Sequence, residues 1–316
     1  MHWIDRSSCM IQVFLALPIL LYLAQTLHLT YNRFQSRSHI ISSEALPGEV
    51  TRIEFPIPRG MRPCNPGQYV QISIGAISQL EVHPFTLSGC PGNGILRLHI
   101  KALGDWTRCL YQLATHNKLQ GSTIHAMGPF TTRSNEVTKY NDIILVGAGI
   151  GATPFTSILE HSLKHNKTEN KSIYFNWLVR EQQAAQTWFH DLIQSIEDSN
   201  GNLNIRATIW YTGGKVGDSP VQKALFNLSE EFFREAVGRD LLTGIRKRNS
   251  NITVRFGRPC WDAVIRDHIR KHTLSKRLGV FCCGPNSLVN SLKKSCSRFS
   301  SLTKPIDLHS EHFNAW

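Results

Sequence analysis

Residues 142–154 read Asp-Ile-Ile-Leu-Val-Gly-Ala-Gly-Ile-Gly-Ala-Thr-Pro, and no other stretch restricts the fold of this chain so strongly. Ile143–Val146 is an apolar, branched run, short enough to be a strand buried on both faces of a parallel sheet. Gly147, Gly149 and Gly151 follow at alternate positions, and an apolar helical pattern begins near Phe155. Strand, glycine turn and helix start together put bare backbone N–H groups and the positive end of a helix dipole where a pyrophosphate can sit. Pro154 suits the first turn of that helix, where its missing N–H costs nothing. The spacing departs from Gly-x-Gly-x-x-Gly, because the third glycine comes one residue early. A glycine turn that only turns the chain is the rival reading, so the flanks must decide.

At 316 residues the chain is expected to hold about two domains. Its 41% hydrophobic content is enough for real cores, and no tract is repetitive. The net charge of +12 points to anionic partners, either phosphate ligands or an anionic membrane face. Nucleic acid would also suit that charge, but the basic residues are scattered and no zinc-finger or RNA-binding signature is present. The eight cysteines include no pair with metal-site spacing, so no metal is expected and the usage resembles that of a reduced compartment. Asn-x-Ser/Thr triplets at Asn166, Asn170, Asn227 and Asn251 are read as chance.

Residues 10–29 form the one membrane candidate, with no charge between Val13 and Ala24. A span needs about 20 mostly apolar residues, so Gln12, Gln25 and Thr26 must be tolerated at the ends. A signal peptide and a buried core helix are the alternatives. A membrane helix is favoured, its C-terminal end facing the cytosol beside Arg33 and Arg37. From Ile40 to about Ile124 short alternating runs, Val50–Phe55, Tyr69–Ile74 and Leu96–Lys101, are broken by proline and glycine, the pattern of a small antiparallel barrel. Trp106–Leu113 reads as a helix capped by Asp105. From Asp142 strands at Ile143–Val146, Ile173–Val179, Ile205–Tyr211 and Gly279–Cys282 alternate with helices at Pro154–His165, Ala184–Asp198, Pro259–Lys271 and Asn286–Ser297, which predicts a parallel sheet. Residues 213–255, with the basic cluster Arg246-Lys247-Arg248, read as a surface insertion.

Several short motifs then arrive in one order: His-Pro-Phe-Thr at 83–86, His-Ile-Lys at 99–101, Gly-Asp-Trp-Thr at 104–107, Gly-Pro-Phe at 128–130, the glycine turn, Trp-Leu-Val-Arg at 177–180, Gly-Arg-Pro at 257–259 and Cys-Gly-Pro at 283–285. In this, from about residue 11 to the C-terminus, the chain resembles the dehydrogenase half of the NADPH oxidases and related ferric reductases. That resemblance implies a ferredoxin–NADP reductase-like fold: a membrane helix and stub over 1–35, an antiparallel β-barrel FAD domain over 36–135 and an α/β NADPH domain over 136–316.

The resemblance also implies roles for residues. His83, Pro84, Phe85 and Thr86 would contact the flavin, with Thr86 bonding the ring near its reactive nitrogen. His99, Ile100 and Lys101, with Gly104, Trp106 and Thr107, would hold the rest of FAD. His99 and Lys101 share a strand face, where a cation can meet the pyrophosphate. Gly147, Gly149, Ile150, Gly151, Thr153 and Pro154 would cradle NADPH. Arg180 ends the second strand of the nucleotide fold, where arginine accommodates a 2′-phosphate and an acid would hold a ribose hydroxyl; Glu181 directly after it blurs the choice. Arg258 would be a second anion contact, and Cys283, Gly284 and Pro285 would lie near the nicotinamide. Phe313, in Glu311-His312-Phe313, would cover the flavin ring, although Asn314-Ala315-Trp316 extend past the usual ending. On spacing alone each of these residues is equally an ordinary strand, turn or core position.

Thr131 stands where the family has glycine, and Gly89-Cys90-Pro91 is looser than the usual Ser-Ala-Pro. Family oxidases carry haem between histidines on several membrane helices, and no calcium-loop pattern is present. The expectation is therefore a reductase module, a fragment of an oxidase or a partner of a haem-bearing membrane chain. NADPH would pass hydride to FAD, and electrons would continue through haem to oxygen, with the module on the cytosolic side of the membrane. A metal-chelate reductase and a silent truncated subunit are the alternatives.

Overall fold

The computed structural model describes residues 14, 16–27, 31, 35–89, 94–165, 171–199, 204–213, 228, 251–271 and 277–311. The first half is a seven-stranded antiparallel sheet: β1 (Arg37–His39), β2 (Ser42–Leu46), β3 (Val50–Pro56), β4 (Tyr69–Ile74), β5 (His83–Gly89), β6 (Ile95–Lys101) and β7 (Thr123–Phe130), in the order β1-β7-β4-β5-β6-β3-β2. Its end strands are consecutive in sequence. The Ile40 N–H bonds the Ser122 carbonyl while the Ile41 N–H bonds that of Glu54, so the chain steps from one edge to the other and curls the sheet into a half-barrel. Alternation does the rest. Thr51, Ile53 and Phe55 point inward with Val70, Ile72, Leu96 and Leu98, while Arg52 and Glu54 face out.

Helix α1 (Asp105–Thr115) plugs the barrel with Trp106, Leu110 and Ala114, spaced four apart on one face. Its N-cap is Gly104 rather than the expected Asp105, which is the first helical residue and points into solvent. The reason is local: the Thr107 hydroxyl accepts the N–H groups of Leu103 and Gly104 at 2.9 and 3.0 Å and fixes the turn one residue earlier.

Among the described residues the second half is a six-stranded parallel sheet ordered β11-β10-β9-β8-β12-β13. It contains β8 (Asp142–Ala148), α2 (Thr153–His165), β9 (Ser172–Val179), α3 (Gln182–Thr187), α4 (His190–Asp198), β10 (Asn204–Tyr211), β11 (Ile252–Phe256), α5 (Trp261–Lys271), β12 (Leu278–Cys283), α6 (Asn286–Phe299) and β13 (Ile306–Glu311). Ile143 and Leu145 face the core under α2 and α4, whereas Ile144 and Val146 face the core under α5 and α6, which is why β8 is apolar throughout.

Three further expectations need correction. The helix foreseen over Ala184–Asp198 is two helices, broken at Trp188 and Phe189, because both aromatics turn into the junction with the barrel. Residues 252–256, read as the end of an insertion, form edge strand β11, with Ile252, Val254 and Phe256 buried on one face; the cluster Arg246-Lys247-Arg248 lies outside the described residues. Among the described residues no helix is long and apolar enough to cross a membrane, so the span foreseen over 10–29 is not supported. Residues 16–27 are helical with their side chains exposed.

Barrel and sheet share a core. Leu46 and Val50 of the barrel pack in one cluster with Val179, Ala184, Trp188 and Phe189. Buried polar bonds cross the same boundary, from the Gly67 N–H to Ser157 Oγ at 2.8 Å and from Thr156 Oγ to the Ser88 carbonyl at 3.0 Å.

Candidate functional site

A cavity of about 730 Å³ lies between the two halves. The barrel contributes His83, Pro84, Phe85 and Thr86 from β5, Lys101 from the end of β6, and Gly104, Trp106 and Thr107 from the start of α1. The parallel sheet contributes Ile150 and Thr153 from the turn after β8. Residues that sequence reasoning did not place here are Tyr69, Gln71, Glu81, Leu103, Asp105, Thr131, Thr132, Arg133, Ser310 and Glu311. Glu311 had a signal, its place in the C-terminal motif, and β13 carries it to the cavity, where its carboxylate accepts the Ser134 N–H at 2.6 Å.

One wall is aromatic. Trp106 lies 4.7 Å from the His83 ring and 5.7 Å from Phe85 at a 26° tilt, and Tyr69 stacks on Phe130 at 5.1 Å. A flat apolar ring system suits such a wall. Beside it the N-terminus of α1 has no side-chain cap, since its cap residue is glycine, and Lys101 supplies a cation. Bare helix N–H groups with an ammonium fit a diphosphate. The buried Trp106 Nε1–H has no partner among the described residues. These features together fit a flavin dinucleotide.

His99 is different from its neighbour Lys101. Its Nδ1 pairs with Ser88 Oγ at 2.7 Å, and its ring meets Phe189 edge-on at 4.9 Å. Burial, with the positive charges of Arg97 and Arg52, pushes its pKa down to about 3. It is neutral at physiological pH and does not line the cavity, and Ile100 is likewise buried outside it.

The glycine turn divides into two kinds of position. A β-carbon on Gly147 would come within 2.7 Å of Ala152 Cα, and one on Gly151 within 2.6 Å of the Cys283 carbonyl oxygen, so the fold itself requires both glycines. Gly149 has φ +54° with open space around it, and its carbonyl accepts the Trp177 indole N–H at 3.0 Å. It is the place in the turn where another molecule can approach the backbone.

Gly147 and Cys283 are register partners on β8 and β12, where the strand order reverses. Open parallel sheets bind ligands at this crevice. Gly284 packs on Ala148 and Leu288, and Pro285 starts α6. Cys283 is fully buried, and its thiol is pushed up by burial and by Glu311, so it stays protonated. Along the same sheet edge Val179, Tyr211 and Phe256 are aligned across β9, β10 and β11, and exposed Arg180 and Arg258 follow the ends of β9 and β11 by one and two residues. Neither arginine, nor Gly147, Gly149, Gly151, Pro154, Cys283, Gly284 or Pro285, lines the cavity. Phe313 lies outside the described residues.

The nucleotide half, residues 140–297, matches the ferric reductase NAD binding domain, and residues 35–172 match an FAD-binding domain. The chain belongs to the ferric reductase NAD-binding family. Over 295 residues it is 35% identical to NADPH oxidase 1 of Mus musculus, covering 90% of this chain and 46% of that protein. It is 30% identical over 293 residues to dual oxidase 2 of Sus scrofa, covering 90% of this chain and 18% of that one. The chain thus spans less than half the length of these relatives. Ferredoxin-NADP+ reductase from Plasmodium falciparum shares the fold, with a TM-score of 0.52 at 13% identity over 88% of this chain and 96% of that one. As a ferric reductase-family chain with an FAD-binding barrel, it is a flavin-dependent oxidoreductase.

Proposed function

We propose that this module oxidises NADPH and passes its electrons through FAD, with residues 36–135 holding the flavin and 136–316 the nucleotide. The observation that carries this is the shared cavity, where His83–Thr86 and the start of α1 face Ile150 and Thr153 of the glycine turn. When bound, FAD accepts hydride and releases electrons singly. The chain's own task is placement. Phe85, His83 and Trp106 form a wall for the ring, Thr86 offers a hydroxyl beside it, and Lys101 with the α1 N-terminus takes the diphosphate. Arg180 and Arg258 form a second anion site at the sheet edge, and a guanidinium pair there favours the 2′-phosphate of NADPH over NADH. The buried, protonated Cys283 thiol backs the turn rather than acting as a nucleophile.

The likeness to NADPH oxidase 1 over 46% of that protein supports placing this module before a haem-bearing membrane domain, on the cytosolic side, with oxygen as final acceptor. The test is anaerobic reduction of the FAD-loaded chain. NADPH should bleach the flavin's visible absorbance faster than NADH does. Bound flavin that NADPH leaves oxidised would overturn the assignment.

A further inference from the structure

Glu181 raises a problem for the NADPH reading, because an acid beside Arg180 should repel a 2′-phosphate. Its carboxylate is turned the other way. Glu181 Oε1 lies 3.7 Å from Lys101 Nζ on the barrel. The carboxylate also rests on the turn between β2 and β3, where a β-carbon at Gly48 would overlap it. That turn is built to receive it: Gly48 and Glu49 have φ of +76° and +57°, the Pro47 carbonyl accepts Trp188 Nε1–H at 2.7 Å, and the Glu49 carbonyl accepts the Ala102 N–H at 2.8 Å. Lys101 is held from both sides, its ammonium 6.0 Å from the Trp188 ring.

We propose that Lys101 is a nucleotide-specificity residue sited in the flavin domain: with the Gly48 seat it engages Glu181, leaving Arg180 free for the 2′-phosphate. The inference rests on the NADPH reading. It makes Lys101 and Gly48 positioning residues that act through Glu181, and it links two cofactor sites on different sheets through one ion pair. The pair is partly exposed, so its effect is modest, about threefold in affinity.

The experiment measures binding of 2′,5′-ADP and 5′-ADP by calorimetry to the full chain, each variant held at saturating FAD because Lys101 also faces the flavin cavity. Neither ligand carries a nicotinamide, so no turnover intrudes. The selectivity ratio for the 2′-phosphate should fall about threefold in Lys101→Met. Lys101→Arg should keep it. Glu181→Gln alone should change it little, and Lys101→Met/Glu181→Gln should return it to the wild-type value. This non-additivity separates engagement of Glu181 from a general loss of positive charge, which would give equal Glu181→Gln effects in both backgrounds. Gly48→Ala unseats the carboxylate without altering any charge or touching the flavin cavity, and should lower the ratio as well.

Additive effects, or a ratio unchanged by both Lys101→Met and Gly48→Ala, overturn the inference alone. A wild-type ratio near one, insensitive to Arg180→Ala, overturns the NADPH reading beneath it.

Discussion

Lowering the pH should destabilise this fold through His99. The folded protein holds the imidazole between Ser88, Phe189 and two arginines, Arg97 and Arg52, and its pKa falls from 6.5 to about 3. Above about pH 6.5 the ring is neutral in folded and unfolded chains, and the residue contributes no pH dependence. Between there and pH 3 the unfolded chain takes up a proton that the folded one refuses. Stability therefore drops as pH falls, by up to about 1.4 kcal/mol per unit. At about pH 5 the loss from this one group is about 2 kcal/mol, a large part of a typical domain's stability.

Urea unfolding followed by tryptophan fluorescence at about pH 7 and about pH 5 measures the loss, and His99→Gln isolates it, since glutamine can still pair with Ser88 Oγ but cannot titrate. Other histidines and carboxylates titrate in both proteins, so the difference between the two pH slopes reports His99. The variant should lose about 2 kcal/mol less than the wild type between these pH values. Parallel losses would refute the argument. So would an imidazole carbon resonance of His99 that titrates near its ordinary pKa in the folded wild type.

Gly151→Ala should cost about 1–3 kcal/mol in urea unfolding, because its β-carbon would press on the Cys283 carbonyl, whereas Gly149→Ala meets open space and only backbone strain. Arg180→Ala should weaken NADPH far more than NADH in equilibrium binding, and equal losses would remove it from the phosphate site. Native alkylation at mildly alkaline pH should label exposed Cys260 and spare Cys282, Cys283 and Cys296 until the chain is unfolded, as peptide mass mapping would show; burial pushes Cys282 and Cys296 up to about 12 and Cys283 well above its ordinary value.

His99 and Lys101 show what a sequence pattern can and cannot convey. Period-2 alternation correctly puts both on one face of β6, but it says nothing of what covers that face. Phe189 arrives from the other half of the molecule and buries His99, while Lys101, two residues on, emerges at the cavity between Glu181 and Trp188. The same limit explains the broken helix. Ala184–Asp198 has a helical pattern, yet Trp188 and Phe189 gain more by filling the junction beside Leu46 and Val50 than by continuing a helix. Strand β13 was hidden for the opposite reason: as an edge strand it is only half covered, so Asp307, His309 and Glu311 leave no apolar run to read. Motifs made of local backbone geometry, such as Gly104–Thr107 and Gly147–Pro154, are legible because their glycines answer to neighbours within a few residues or to a single adjacent strand. The cavity is legible only in its local pieces. Its remaining wall, Arg133 with Ser310 and Glu311, is assembled by a hydrogen bond between Ser134 and Glu311, residues 177 positions apart.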